Sequence, residues 1–172
     1  MDRYFKIGKL AAAHGTSGQM ILQHSLGKRT ALKGLSTLFV EAHQDGFLPY
    51  FIESVKAKNE NEVYVQLEGI ATREQALGLI KKEVWLTQPD FEKFAARSAP
   101  ISLLGFRAFN EGVELGEISE VFEQPHQVLC KIMVRDKEVL IPVHDSFVER
   151  VDKNKKEIYL VLPEGLIELY TG

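Results

Sequence analysis

The 172-residue sequence contains one cysteine, Cys130. A single thiol excludes an intramolecular disulfide and offers no cysteine pair for zinc. Because Cys130 lies in the apolar run VLCKIMV, we expect a small buried side chain rather than a reactive thiol. No apolar run approaches the roughly 18 residues of a membrane span, and the N-terminal segment lacks an apolar signal region. These absences predict a cytoplasmic protein with no membrane partner.

The sequence also lacks a coherent set of catalytic or metal-binding residues. Its five histidines show no H-x-x-x-H or H-x-H spacing. His144, Asp145 and Ser146 are the residue types of a hydrolase triad, but a working triad is assembled from distant positions and these three are consecutive. We therefore predict a non-enzymatic protein with no cofactor and no metal.

Charge is divided unevenly along the chain. Residues 1–88 carry 11 Lys+Arg against 9 Asp+Glu, whereas residues 89–172 carry 10 against 15. Any partners of the two parts are therefore expected to differ in their electrostatics.

Most of the chain alternates apolar and polar residues with the period of a β-strand. In EVYVQLE, Val63, Val65 and Leu67 fall on one face. Similar patterns and short turns, including RDKE at 135–138 and DKNKK at 152–156, predict a mainly β protein with two small β-barrel domains. In the second turn, Asn154 is the residue expected to adopt a positive φ. The predicted strands lie near 4–12, 18–25, 37–42, 48–57, 62–68, 83–87, 114–122, 128–134, 138–143 and 157–162.

Three helical segments interrupt this pattern. TREQALGLIKK begins with Thr72 and Gln75 at capping-box spacing, and short helical turns are predicted from Pro89 to Ala96 and from Pro163. Two prolines and a loss of periodicity mark a linker. The predicted division is an N-terminal barrel at 1–88, a linker at 89–100 and a C-terminal barrel at 101–172.

The turn HGTSGQM contains the first candidate contact residues, His14, Gly15 and Gly18. Its glycine spacing matches neither a P-loop nor a dinucleotide-binding motif, and a strand pattern follows it instead of a helix. A purely structural turn and a turn that contacts a partner remain the two alternatives.

The loop GKRTALKG, residues 27–34, concentrates Lys28, Arg29 and Lys33 between two glycines. Such a loop can lie along a nucleic-acid backbone, or it can simply be solvated.

Several of these segments resemble one family. FKIGKLAAAHGTSGQM and ATREQALGLIKKEVWL resemble the N-terminal barrel of the ribosome maturation factor RimM family. LLGFRAFNEGVELGEISEVFE and KEVLIPVHDSFVERVDKNKKEIYLVLPEGLIEL resemble its PRC-barrel domain. The resemblance covers nearly the whole chain in the right order.

The resemblance implies a non-enzymatic assembly factor that binds the free small (30S) ribosomal subunit through its head-domain protein number nineteen. It implies a role in head maturation and 16S rRNA processing, with 16S rRNA as a further partner, and we expect a monomer. A PRC-barrel adaptor of a membrane complex or of other RNA metabolism is the alternative, and an enzyme with a barrel cleft is a third reading.

One departure from the family pattern concerns a possible contact. Where the family has two adjacent tyrosines, this chain has Ser98 and Ala99, and Ser102 occupies the acidic position that follows. Tyrosine pairs are good interface anchors. Phe91, Phe94 and Phe106 lie nearby and could either compensate or pack in the linker and core; Phe106 is retained as a candidate contact.

Overall fold

The protein is described by a computed structural model that covers residues 3–43 and 46–171. Its chain divides into two compact units, with the boundary between Ser102 and Leu103. Each unit is built on a six-stranded sheet. The predicted mainly β architecture with two small β domains is therefore confirmed.

The first unit is a closed barrel with the strand order β1-β2-β5-β4-β3-β6. The alternation of apolar and polar residues determines which side chains fill the barrel interior, because successive strand residues point to opposite faces. In β5 the predicted set Val63, Val65 and Leu67 is fully buried, and in β2 Met20 and Leu22 are also fully buried. The strands are β1 (Tyr4–His14), β2 (Gln19–His24), β3 (Thr37–Glu41), β4 (Phe47–Ala57), β5 (Glu62–Leu67) and β6 (Glu83–Thr87).

Helix α1 (Arg73–Leu77) begins at the predicted capping box. Thr72 Oγ1 accepts the Gln75 N–H at 3.1 Å, and Gln75 Oε1 accepts the Thr72 N–H at 3.2 Å. The helix ends at Gly78 after five residues, shorter than its sequence pattern suggests. Glycine weakens a helix because it carries a large backbone entropy cost.

Helix α2 (Gln88–Phe94) begins one residue before the predicted linker and continues into it, with Pro89 in its first turn. Phe91 is buried, and its ring centroid lies 5.0 Å from that of Phe5. The Ala96 N–H then donates to the Leu26 carbonyl at 2.7 Å. Residues beyond position 88 therefore pack on the first unit, which by its contacts extends to Ser102.

The second unit forms a sheet with the strand order β10-β9-β8-β7-β12-β11. Its core includes Ile118, Cys130, Ile132, Val139 and Ile141. A 3₁₀ turn (Pro100–Leu103) contains the boundary between the two units. The elements of the second unit are β7 (Arg107–Asn110), β8 (Val113–Gln124), β9 (Gln127–Val134), β10 (Lys137–Pro142), β11 (Val148–Asp152), β12 (Glu157–Leu160) and α3 (Leu166–Thr171).

Strands β7 and β11 were not predicted as strands. β7 has four residues, and none of the five residues of β11 is buried. Neither segment therefore carries an alternating pattern long enough to identify it. α3 begins at Leu166, three residues after the predicted start at Pro163.

The turns of the second unit give one confirmation and one correction. RDKE forms a hairpin turn in which Arg135 and Asp136 have φ values of 52° and 64°. In DKNKK the positive φ of 56° belongs to Lys156, so the prediction for Asn154 is wrong. The N–H groups of Asn154 and Lys155 instead donate to Asp152 Oδ1, which accounts for the conformation.

Candidate RNA and protein interface

The glycine turn between β1 and β2 requires its glycines. Gly15 and Gly18 have φ values of 72° and 89°, in the left-handed region. A Cβ at Gly18 would lie 2.3 Å from the Ile70 carbonyl oxygen, whereas a Cβ at Gly15 would meet nothing within 4 Å. Gly18 is thus fixed by close packing inside the unit, and Gly15 faces open space.

This turn is held in place by side chains from β5 and α1. Arg73 Nη1 donates to the Gly15 carbonyl at 3.0 Å, and Gln66 Nε2 donates to the Ser17 carbonyl at 2.9 Å. His14 is exposed at the end of β1, with its ring centroid 4.7 Å from that of Tyr64. The turn therefore presents His14 from an ordered support, while the barrel strand β2 follows it in place of a phosphate-binding helix.

The basic loop is anchored by one buried leucine that precedes it and one that lies between its charges. Leu26 and Leu32 are fully buried, whereas Lys28, Arg29 and Lys33 are exposed. Leu32 adopts a φ of 51°, and its N–H donates to Thr30 Oγ1 at 3.0 Å. The three cations thus project from a loop whose course is fixed by packing.

The two candidate surfaces lie at opposite ends of β2. The His14 turn precedes Gln19, where β2 begins, and the basic loop follows His24, where it ends. Six strand residues span about 20 Å. The structure therefore separates the glycine turn from the basic loop.

Phe106 lies in the interior of the second unit, with 7% of its surface exposed. A side chain at this level of burial packs in the core and offers little area to a partner. The position of Phe106 does not support its choice as a contact residue. Of the two alternatives, packing in the core agrees with its burial.

The segment that replaces the family's tyrosine pair packs against the first unit. Ser98 is exposed and Ala99 is 9% exposed. A Cβ added to Gly27 would lie 2.2 Å from the Ala99 Cβ, so the chain approaches the start of the basic loop closely here. Ser102 Oγ donates to the Ala99 carbonyl and helps to fix this segment. A large side chain at position 99 would not fit this contact.

His24 is a buried histidine that the sequence interpretation did not single out. It is 3% exposed; its Nδ1 accepts the Leu26 N–H at 3.2 Å, and Nε2 has no hydrogen-bond partner among the described residues. Burial lowers the pKa of His24, against an opposing effect of Glu62. The neutral ring thus helps to fix the first turn of the basic loop, and its place in the alternation with Met20 and Leu22 was the available signal.

The residues considered for chemistry are placed as follows. His144 Nδ1 lies 2.7 Å from Ser146 Oγ and also accepts the Ser146 N–H at 3.1 Å, which is a local turn contact at an exposed site. Cys130 is buried, and burial raises the pKa of its thiol to about 12. Among residues 3–43 and 46–171, no group of three or more His, Cys, Asp or Glu is placed to hold a metal ion.

The acidic charge of the second unit is largely at its surface. Glu114, Glu117 and Glu123 on β8 are exposed, and Glu120 lies 2.9 Å from Lys131. Arg107 joins Glu114 at 3.6 Å and Glu157 at 3.1 Å, which offsets part of this charge. None of the described helices is long and apolar enough to span a bilayer.

The fold and these surfaces define a two-unit β protein with a basic loop on its first unit and an acidic second unit. The RimM N-terminal domain model matches residues 5–91, and the RimM PRC barrel domain model matches residues 100–166. The chain belongs to the RimM family.

Relatives match along the full chain. The ribosome maturation factor RimM of Christiangramia forsetii is 28% identical, with 99% of this chain and 98% of the relative covered. That of Parabacteroides distasonis is 30% identical, with 98% of both chains covered. That of Phocaeicola vulgatus is 31% identical, with 96% of this chain and 98% of the relative covered.

Proposed function

We propose that this protein is a non-enzymatic, cytoplasmic ribosome assembly factor that acts as a monomer on the free 30S subunit. It assists maturation of the subunit head and processing of 16S rRNA. The observation that carries this proposal is the match of both RimM domain models, in order, over most of the chain. Relatives covered almost from end to end bear the name ribosome maturation factor RimM.

The two partners proposed within the subunit are 16S rRNA and head-domain protein number nineteen. The exposed cations Lys28, Arg29 and Lys33 suit phosphate groups. The excess of carboxylates in residues 89–172, 15 against 10 cations, suits a basic protein. Exposed His14 and Gly15 form a further candidate contact, supported by the ordered turn that carries them.

Gradient sedimentation of a tagged copy in a cell lysate tests this function. We expect the protein to migrate with free small subunits and to be absent from assembled ribosomes. Since electrostatic contacts weaken with salt, the gradient is run at low ionic strength first. Recovery only at the top of that gradient would overturn the proposed function.

A further inference from the structure

Tyr64 lies at the centre of an outer barrel surface that extends over four strands. Its neighbours Val63 and Val65 are fully buried, so Tyr64 points away from the interior. In the strand register Tyr64 lies opposite Ile21 of β2 and opposite Lys56 of β4. Cross-strand partners share a face, so Lys56 flanks Tyr64 on one side, and the His14 ring lies 4.7 Å from it.

The same face carries further lysines towards the other end of the strands. Lys9 lies opposite Gln23, and Gln23 lies opposite Glu62. The Glu62 carboxylate is engaged by Lys58 Nζ at 3.0 Å and by Asn59 Nδ2 at 2.7 Å. The surface of His14, Tyr64, Lys56, Lys58 and Lys9 is here called the Tyr64 face. Glu62 lies among its three lysines, and Glu83 of β6 lies opposite Lys9 at its edge.

Further carboxylates border this surface at both ends. Glu60 is exposed in the turn between β4 and β5, at the end where Lys9 lies. Glu53 lies in the β4 bulge, and Glu68 follows the end of β5, both at the end where His14 lies. Lys56, directly opposite Tyr64, is therefore the cation at the centre of the Tyr64 face, and carboxylates border the face at both ends.

The Tyr64 face also connects the two separated candidate surfaces. It runs along β2 from the His14 turn to the point after His24 where the basic loop begins. This path of about 20 Å combines an aromatic ring, an imidazole and lysines along one side of a barrel. Such a combination is typical of single-stranded nucleic-acid binding, in which bases stack on rings and cations follow the backbone.

We propose that the Tyr64 face binds a single-stranded segment of RNA, with a base stacked on Tyr64 beside His14 and phosphates near Lys56, Lys58 and Lys9. This inference rests on the proposed function for the identity of the RNA, a segment of 16S rRNA. The Tyr64 ring, with Lys56 opposite it and His14 beside it, favours a stacked base and its phosphate over a protein partner.

The test measures binding of the full chain to a protein-free 16S rRNA transcript over a range of salt concentrations. Tyr64→Ala should weaken binding by about 5- to 150-fold, which is the usual cost of losing one stacked base. Tyr64→Phe keeps the ring and should restore most of that affinity. Lys56→Ala should make the slope of log K against log salt shallower by about 0.7.

Matched controls come from exposed residues of the second unit. Tyr170→Ala and Lys155→Ala should leave affinity and salt slope unchanged, because both side chains lie outside the Tyr64 face. Since Tyr64 is half-buried, thermal unfolding checks that its variants are folded. The surface variant Lys56→Ala keeps the proposal testable if Tyr64→Ala does not fold.

Several outcomes overturn the proposal. One is that the wild-type protein does not bind the transcript. Another is that Tyr64→Ala and Lys56→Ala both bind it with the affinity and salt slope of the wild type. A third is that these variants bind 30S subunits more weakly but bind the transcript as the wild type does. The last would show that the face contacts protein. If the wild-type protein sediments with free small subunits but the variants bind the transcript as tightly as the wild type does, only this inference fails. If transcript binding depends on Tyr64 but the protein never sediments with the subunits, the proposed function fails instead.

Discussion

His24 shows how one buried side chain connects folding to the basic loop. The Nδ1 atom accepts the Leu26 N–H only while that nitrogen is unprotonated, and Leu26 is the last buried residue before the loop. Protonation would place a charge at a site with 3% exposure, where desolvation penalises it. Glu62 is the titratable group that faces His24, and hydrogen bonds from Asn59 and Lys58 lower the pKa of its carboxyl group.

The first prediction concerns the pH dependence of stability. The pKa of His24 is lowered in the folded state, so the unfolded chain binds more protons below about pH 6.5. The contribution of His24 to the free energy of unfolding should be complete above that pH and should decrease as the pH falls towards the folded-state pKa. The contribution of one group cannot exceed about 1.4 kcal/mol per pH unit.

Urea unfolding of the wild type and of His24→Asn between pH 7.5 and about 5 measures this effect, with the asparagine oxygen in place of Nδ1 as acceptor. In the variant, the free energy of unfolding should depend less steeply on pH, because the contribution of His24 is lost. His126→Asn removes an exposed histidine and should keep the wild-type slope. An identical pH dependence in wild type and His24→Asn would contradict the assignment.

Helices and strands can be predicted from the sequence where a local residue pattern determines them. Alternation identifies β5, and Thr72 with Gln75 identifies the start of α1, because each signal lies within a few residues. β7 and β11 have no such signal. β7 pairs with β12, which is distant in the chain, and β11 has no buried residue that would create an alternating pattern. The Tyr64 face could not be predicted either, since Tyr64 and Lys56 become neighbours only through the strand register. Likewise, burial of Phe106 is decided by packing and not by its own identity.

The second prediction concerns the β9–β10 hairpin. Val134 pairs with Lys137, which leaves Arg135 and Asp136 as a two-residue loop with positive φ at both positions. Such turns favour Asn-Gly, because L residues other than Asn and Asp are strained there. Arg135→Asn with Asp136→Gly should raise the free energy of unfolding by roughly 0.5–1 kcal/mol, measured by urea unfolding. Asn154→Gly, at a residue without positive φ, should give no gain. Equal stabilisation by both changes would show that backbone strain is not the cause.

For the whole molecule, the division of charge corresponds to the division into units. The three exposed cations of the basic loop belong to the first unit, and the exposed glutamates of β8 belong to the second. A subunit surface offers both phosphate groups and basic proteins, so a protein with this division can use each unit for a different kind of contact. The order of the two domains was predictable from sequence; the anchoring of the basic loop by Leu26, Leu32 and the Ala99 contact depends on tertiary packing.

The third prediction follows from this division and concerns the basic loop. Changing Lys28, Arg29 and Lys33 together to glutamate should weaken binding to free 30S subunits and make its salt dependence shallower. The expected change in slope is roughly 2–3 if all three side chains contact phosphates. The loop should keep its course, because the leucines that anchor it are unchanged. Filter binding or sedimentation at several salt concentrations provides both the affinity and the slope.

A variant with the same change in net charge separates local contact from general electrostatic attraction. Arg135, Lys137 and Lys155 are exposed on the second unit, and their change to glutamate should leave the salt slope as steep as in the wild type. A long-range effect of net charge would flatten the slope in both triple variants, since it depends little on where the charges lie. If the loop variant kept both its affinity and its slope, the basic loop would not contact RNA. In that case the Tyr64 face alone would have to account for any binding to rRNA.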